Sequence, residues 1–277
     1  MLIMHTMQKG VIRMLGAIIG DIVGSRFEWN NIKHKHFDFL TEDCFVTDDS
    51  IMTLAIARAI MDSLPDRSDL PAQAVKAMQE VGRPYPNCGY GGRFWQWIYA
   101  DDPKPLNSFG NGAAMRVSAC GFAARSLEDA KAMARAVTEV SHNHPEGIKG
   151  AEAVAAAIWM ARNGASIPEI RDFIDWEYYP MTQTLDEIRP GYWFNETCQN
   201  TVPQALQAFF ESTGFEDAIR NAISIGGDSD TVAAITGGVA EAFWGVPEDI
   251  RDRALAFLDQ RQRTIFDRFE RFMSTQQ

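Results

Sequence analysis

The chain has 277 residues and a formal net charge of −11 at pH 7. This charge argues against general binding to nucleic acid or to an anionic membrane, because both need a basic surface. No run of about 18 apolar residues, the length of a membrane-spanning helix, is present. The four cysteines are scattered without a Cys-x-x-Cys pair, which is typical of reduced thiols in a cytoplasmic protein.

Two parts are distinguished at the N-terminus. Residues 1–10 are interpreted as a loose extension, and residues 11–277 as a single domain. The domain begins with a predicted helix over 11–23, where glycines recur every four residues at Gly16, Gly20 and Gly24. Because glycine lowers helix stability, this repetition indicates close packing against another element.

A polar loop over 25–31 follows and carries Glu28. By itself Glu28 is most simply a surface carboxylate. Asp21, in the preceding helix, either supports a site from behind or is an ordinary polar side chain. The Lys-His-Lys-His stretch at 33–36 is predicted to be solvated surface, because its lysines disfavour a divalent cation.

The next predicted helices cover 51–64 and 70–81. The first of them follows Thr-Asp-Asp-Ser at 47–50, which places two carboxylates and two hydroxyls at a helix start. The glycine-, proline- and aromatic-rich stretch 82–97 is predicted to be a structured loop leading into a short helix. Its aromatic residues either contact a substrate or pack the loop down, and the sequence favours neither interpretation.

Two short segments in the middle of the chain are candidates for binding an anion. In the segment 108–116, Gly-Asn-Gly at 110–112 is either a simple turn or a set of backbone N–H groups that face a phosphate at a helix start. His142 lies in Ser-His-Asn-His (141–144), where a lone loop histidine is usually structural. Helices are predicted on both sides of it, over 127–140 and 146–162.

The last third of the chain is also predicted to be helical, apart from an irregular aromatic segment over 186–194. Within that segment, 189–194 is interpreted as a surface for adenine stacking or for oligomerisation. Helices are predicted over 168–176, 202–210, 215–225, 232–244 and 249 to about 273. Strand-length alternation is almost absent. The predicted fold class is therefore all-α, a compact orthogonal helical bundle.

The most informative segment is Gly-Gly-Asp-Ser-Asp-Thr at 226–231. Its glycines permit a tight turn, and its carboxylates and hydroxyls are the hard oxygen ligands that Mg²⁺ or Mn²⁺ prefers. An ordinary N-cap explains this segment about equally well. The similar chemistry at 47–50 favours the metal site over the N-cap, because two adjoining acidic clusters repel each other unless cations lie between them.

These segments resemble the ADP-ribosylglycohydrolase family of the DraG/ARH type. The matching pieces occur in the family's order and span nearly the whole chain: 16–24 with Glu28, 47–50, 108–116, 141–144 and 226–231. The resemblance implies the orthogonal bundle of that family. It also implies a metal-dependent hydrolase that releases ADP-ribose from a modified protein or small molecule by cleaving an N- or O-glycosidic bond.

The resemblance assigns roles to individual positions. Two Mg²⁺ or Mn²⁺ ions are expected on Thr47, Asp48, Asp49, Asp228, Asp230 and Thr231. Catalysis is expected to involve Glu28, Asp228 and Asp230, with Glu28 transferring a proton or gating access. Substrate contacts are expected from Phe109, Gly110, Asn111, Gly112 and His142. The loops at 85–93 and 189–194 are expected to decide which leaving group is accepted.

Two other functional classes fit the same residues. One is a non-catalytic ADP-ribose-binding or structural protein on this scaffold, since a fold does not fix a function. The other is a hydrolase of another phosphate or nucleoside compound. The sequence does not distinguish Mg²⁺ from Mn²⁺, and it does not define the leaving group or the oligomeric state.

Overall fold

The computed structural model describes residues 14–63 and 65–276. All secondary-structure elements longer than a single bridge in these ranges are helices. Within these ranges β-structure is limited to one isolated bridge, between Gly110 and Thr197. The predicted all-α class is therefore confirmed. The proposed extension over 1–10 and the first residues of the predicted helix 11–23 lie outside the described residues.

The described helices in chain order are α1 (Leu15–Gly24), α2 (Asp48–Asp62), α3 (Leu70–Gly82), α4 (Gly92–Tyr99), α5 (Ser118–Ala123), α6 (Leu127–Thr138), α7 (Pro145–Arg162), α8 (Ile167–Glu177), α9 (Leu185–Ile188), α10 (Cys198–Phe210), α11 (Phe215–Ser224), α12 (Ser229–Trp244), α13 (Glu248–Leu255) and α14 (Gln260–Thr275). Short 3₁₀ turns cover Ser25–Phe27 and Asn111–Ala113.

Helices α1 and α12 cross at the centre of the bundle with their backbones in contact. Every residue of α1 is buried. A Cβ atom added to Gly20 would lie 2.0 Å from the carbonyl oxygen of Ala233, and one added to Gly16 would lie 2.2 Å from that of Gly237. The close packing predicted from the glycine spacing is confirmed, and it brings Asp21 of α1 towards the start of α12.

Three predicted boundaries are wrong. The final helix, predicted over 249 to about 273, is divided into α13 and α14. The division occurs because the Asp259 side chain accepts from the backbone of Gln262, whose own side chain accepts from the Asp259 N–H, so that a new helix begins there. The segment 108–116, expected to begin a helix, contains only the 3₁₀ turn Asn111–Ala113, and the irregular segment 186–194 begins inside the short helix α9.

A single cluster of buried apolar side chains extends from Met14 to Met273. It surrounds the N-termini of α2 and α12, so that these two helix starts are held in the interior. All four cysteines are free thiols. In the described ranges, every helix is too short or too polar to cross a membrane.

Candidate active site

The two acidic segments, which are far apart in the sequence, meet in one cavity of about 270 Å³. Asp48 and Asp49 come from the first turn of α2, and Asp228, Asp230 and Thr231 come from the start of α12. Glu28 joins them, with carboxylate oxygens of Glu28, Asp228 and Asp230 all within 4.8 Å of one another. The expectation that one site is built from both acidic segments agrees with this arrangement.

Local backbone geometry explains how each acidic segment is presented. Thr47 is extended and caps α2, because its hydroxyl oxygen accepts from the N–H of Asp49. Before α12, Gly226 and Gly227 have φ values of +72° and +81°, a conformation that favours glycine. The turn is held by Asn31, whose amide donates to the carbonyl of Gly227 over 2.8 Å and accepts from its N–H over 2.7 Å.

Asp21 supports the start of α2 from behind. Its carboxylate accepts hydrogen bonds from the N–H and hydroxyl groups of both Thr47 and Ser50. The Thr47 hydroxyl donates over 2.6 Å, so that its oxygen keeps lone-pair capacity. The open question of Asp21 is thereby answered, because this side chain is fully buried and fixes the helix that carries Asp48 and Asp49.

The electrostatics of the site follow from carboxylates that are crowded together away from water. Burial, followed by the charge of Asp230, raises the pKa of Glu28 to about 7. Burial likewise raises the pKa of Asp228 to about 6. For Asp49 and Asp230, burial and the charge of a neighbouring aspartate raise the pKa well above its usual range. Without cations, this cluster therefore holds protons that isolated carboxylates would release.

The donors fit a hard divalent cation. The buried oxygens Asp49 Oδ1 and Asp230 Oδ1 have no hydrogen-bond partner in the described part of the chain. The ion pairs found there also leave out every carboxylate of the cluster. Carboxylate and hydroxyl oxygens that face each other without a basic partner are typical of Mg²⁺ or Mn²⁺ sites.

The expected substrate residues are only partly brought to this cavity. Gly110, Asn111, Gly112 and His142 line it, whereas Phe109 does not, and neither does Thr47, which is expected to be a cation ligand. The exposed ring of Phe109 packs edge-on against His144, with ring centroids 5.0 Å apart. Its contribution to the cavity is indirect, because its carbonyl accepts from the N–H of Cys198 and anchors the adjoining loop.

The interpretation of Gly-Asn-Gly as a row of free N–H groups needs correction. The N–H of Gly110 donates to Ser108 Oγ, and that of Asn111 donates to the Glu196 carbonyl over 2.7 Å. The Asn111 amide donates to Asp228 Oδ2, also over 2.7 Å. This loop therefore positions the acidic cluster, and its first two N–H groups are already used inside the protein.

The loop over 82–97 packs aromatic side chains on the core and also borders the cavity. Tyr90 and Phe94 pack against the core, while Gly89, Gly91 and Arg93 line the cavity. Gly89 has a φ of +121°, and a Cβ atom there would lie 2.6 Å from Asp48 Oδ1. Backbone without a side chain is thus needed where this loop passes the carboxylate.

Several residues of the site could not be identified from the sequence. Arg93 and Glu196 line the cavity and the fully buried Arg116 contacts His142, but the sequence assigned none of these side chains a role of its own. Lys33, predicted to be solvated, is instead half-buried and donates to the carbonyls of Tyr192 and Ile225 over 2.5 Å each. It thereby braces the turn before α12, while His34 and His36 are exposed as expected.

The structure is thus an all-α bundle whose central cavity is lined by carboxylates. The chain belongs to the ADP-ribosylglycohydrolase family, whose sequence model matches residues 8–275. Both the resemblance drawn from the motifs and the expected enzyme class are confirmed.

Individual relatives are distant but cover most of the chain. The human ADP-ribosylhydrolase ARH3 is 25% identical over 317 residues, which include 85% of this chain and 85% of ARH3. The ADP-ribosylarginine hydrolase Tri1 of Pseudomonas putida (strain GB-1) is 26% identical over 298 residues, with 92% of this chain and 77% of Tri1 covered. A solved structure, described as an ADP-ribosylglycohydrolase-related protein complex, has a TM-score of 0.70 at 22% identity and covers 96% of this chain and 98% of its own. This last similarity supports the fold.

Proposed function

We propose that the chain is a metal-dependent hydrolase that releases ADP-ribose from an ADP-ribosylated protein or small molecule. The observation that carries this proposal is the meeting of two acidic helix starts in one cavity, without a basic partner for any of their carboxylates in the described residues. The family and the names of its relatives supply the substrate class.

The cation ligands are proposed to be Thr47, Asp48, Asp49, Asp228, Asp230 and Thr231, with two Mg²⁺ or Mn²⁺ ions. Such ions, when bound, polarise substrate oxygens and lower the pKa of bound water. The chain itself supplies the oxygen ligands and keeps them aligned through Asp21 and Asn111.

Glu28 is proposed to move a proton during hydrolysis. Its carboxylate is partly buried beside Asp228 and Asp230, and without cations its pKa is raised to about 7, so that the side chain can hold a proton near neutral pH. Water adds to the anomeric carbon of the ribose as the glycosidic bond breaks, and Glu28 accepts the proton that this water loses. The same proton then becomes available to the leaving group.

The surface next to Glu28 favours a cationic leaving group. Trp29, 80% exposed, stacks on Phe194 with ring centroids 4.8 Å apart. Glu196 lines the cavity together with Glu28. Aromatic faces and carboxylates both attract a planar cation such as guanidinium. An arginine-linked substrate, the kind that the name of Tri1 specifies, is therefore the proposed one.

The test is a panel of ADP-ribosyl substrates with arginine-linked and O-linked leaving groups, each assayed with Mg²⁺, with Mn²⁺ and with EDTA. Free ADP-ribose is measured. We expect cation-dependent release that is fastest for the arginine linkage. Tight ADP-ribose binding without any release would favour the non-catalytic binder, and release only from other nucleoside phosphates would favour the third functional class.

The four free thiols fit the proposed cytoplasmic location.

A further inference from the structure

Arg116 is a buried cation that is not paired with a carboxylate. Its side chain is fully buried, and no ion pair in the described part of the chain includes it. Nη2 donates to Ser141 Oγ over 2.7 Å and to His142 Nδ1 over 3.2 Å, whereas Nε and Nη1 are buried without a partner there. A buried charge without a counter-ion destabilises the fold, so its presence beside a ligand cavity needs an explanation.

These contacts determine the protonation state of His142. A guanidinium has donors and no acceptor, so Nδ1 of His142 must be the acceptor. The Ser141 hydroxyl oxygen receives a hydrogen bond from Arg116 and lies 2.9 Å from the same Nδ1, to which the hydroxyl donates when Nδ1 carries no hydrogen. The hydrogen of the neutral ring is therefore on Nε2.

The charges around His142 also oppose its protonation. Desolvation, followed by the charges of Arg116 and Arg93, lowers the pKa of His142 well below its usual range. Another close neighbour of His142 is the ring of Phe94, 5.6 Å away between centroids. Arg116 lies over that same Phe94 ring at 5.3 Å, so one aromatic side chain supports both residues.

The donor nitrogen of His142 faces the cavity. A Cβ atom added to Gly112 would lie 3.4 Å from Nε2, and one added to Gly110 would lie 3.7 Å from it. Both glycines and His142 line the cavity. The absence of side chains at these two positions leaves the Nε2–H open to a ligand.

We propose that Arg116 is a positioning residue, which fixes His142 as a neutral Nε2–H donor and transmits a buried positive charge through that ring to an anionic ligand group. In the cavity of the proposed hydrolase this group is the diphosphate of ADP-ribose, so the identity of the ligand depends on the proposed function. Six carboxylates line the same cavity, and Arg93 is the one cationic side chain among the described residues that line it. The buried charge therefore offsets part of a field that would repel a diphosphate.

The first test is ¹⁵N NMR of the histidine rings in the Mg²⁺-loaded, full-length protein, with His142 assigned by comparison with His142→Gln. We expect the Nε2–H tautomer and no titration of this ring between about pH 5.5 and about pH 8. An Nδ1–H tautomer, or a ring that titrates in this range, would overturn the proposal. This result does not depend on which substrate the enzyme takes.

The second test compares Arg116→Met and Arg116→Lys with wild type. Arg116→Met should let His142 titrate within that range and should weaken binding of ADP-ribose and of inorganic pyrophosphate by at least about tenfold, since a charge-assisted contact is lost. Arg116→Lys keeps a donor-only cation and should preserve the tautomer. The control is Arg162→Lys, because Arg162 is also part-buried and donates to the Phe122 and Ala124 carbonyls outside the cavity lining.

An Arg116→Met protein with wild-type tautomer and affinity would contradict the proposal. If that variant does not fold, the wild-type spectrum and Arg116→Lys still decide the question. Failure of the proposed function has a different signature, in which His142 keeps the Nε2–H tautomer while no ADP-ribosyl substrate is hydrolysed.

Discussion

The Thr231 hydroxyl donates a hydrogen bond to Asp49 Oδ2 over 3.1 Å, which joins side chains that are 182 positions apart in the sequence. The bond links the first turn of α2 to the first turn of α12. It leaves Asp49 Oδ1 and Asp230 Oδ1 without partners in the described residues. The fold thus brings the two acidic segments together, and the remaining oxygens of the cluster are available to a ligand.

Replacing Asp230 by Asn should separate cation binding from folding. Asn has the same shape but removes one charge from a buried cluster of like charges, so the EDTA-treated variant should be at least as stable as wild type. Saturation at about 100 times the Kd stabilises a protein by about 2.7 kcal/mol. For a chain of this size, that corresponds to a Tm increase of about 5–10 °C. We expect Mg²⁺ to raise the Tm of the wild-type protein by this amount. We expect no such increase for Asp230→Asn.

The matched control for that experiment is Asp101→Asn, because Asp101 is exposed and lies outside the cavity. It should retain the full Mg²⁺-dependent increase. An unchanged increase in Asp230→Asn would show that Asp230 is a helix-start residue without a cation.

The stability of the metal-free protein should decrease as the pH rises. Burial raises the pKa of Asp21 and of Asp228 from 3.8 to about 6, and that of Glu28 from 4.5 to about 7. The folded protein therefore binds more protons than the unfolded chain between about pH 4 and about pH 7, and this stabilisation is lost as pH rises through the folded-state values. Each buried aspartate contributes on the order of 1–3 kcal/mol.

Thermal denaturation in EDTA at a series of pH values measures this dependence. Saturating Mg²⁺ should flatten it above about pH 7, since the cations replace the protons. A metal-free Tm that rises from about pH 5 to about pH 8 would mean that the carboxylates are stabilised by partners other than protons and cations.

Glu28→Gln should reduce turnover with little change in affinity. The substitution keeps the size and hydrogen-bonding capacity of the side chain and removes its ionisable group. Proton transfer by a positioned side chain is typically worth about 10²–10⁴-fold in rate, so kcat should fall by that factor while calorimetry gives a near wild-type Kd for ADP-ribose. Glu42→Gln, at an exposed position, is the control. An unchanged kcat would show that Glu28 is a surface carboxylate without a role in proton transfer.

Gly20→Ala should strongly destabilise the protein. The added methyl group would lie 2.0 Å from the Ala233 carbonyl oxygen and 2.3 Å from its carbon, so the two helix backbones must separate. Overpacking typically costs about 1–3 kcal/mol, and a backbone clash belongs at or above the upper end. A Tm decrease of about 6–12 °C is expected. Gly191→Ala, where a Cβ atom meets nothing within 4 Å, should stay within about 2 °C of wild type.

The sequence predicted those parts of the site that are encoded locally. Two carboxylates and a hydroxyl at each of two helix starts, 47–50 and 226–231, are readable without a structure. The glycine spacing around Gly20 likewise predicted a close contact between two helices. The break before Asp259 was also readable, since Asp and Gln three residues apart are a helix-start signal, but the apolar pattern on both sides concealed it.

Other parts of the site depend on partners that only the tertiary structure brings together. Asp21 and Ser50 are 29 positions apart, and Arg116 and His142 are 26 apart. All four residues lie in segments that the sequence singled out, but nothing in the sequence shows which of them are partners. Asn111 shows the opposite difficulty, because its glycine neighbours suggested an anion-binding turn while its amide is committed to Asp228.

The backbone contact between α1 and α12 determines where this enzyme can diversify. Helix α1 carries Asp21 and leads to Glu28, while α12 begins with Ser229 and carries Asp230 and Thr231. With no side chain between Gly20 and Ala233, the two helices have little freedom to shift relative to each other. Changes of specificity are therefore expected to arise by mutation in the loops 85–93 and 189–194, which can vary without redesign of the acidic centre.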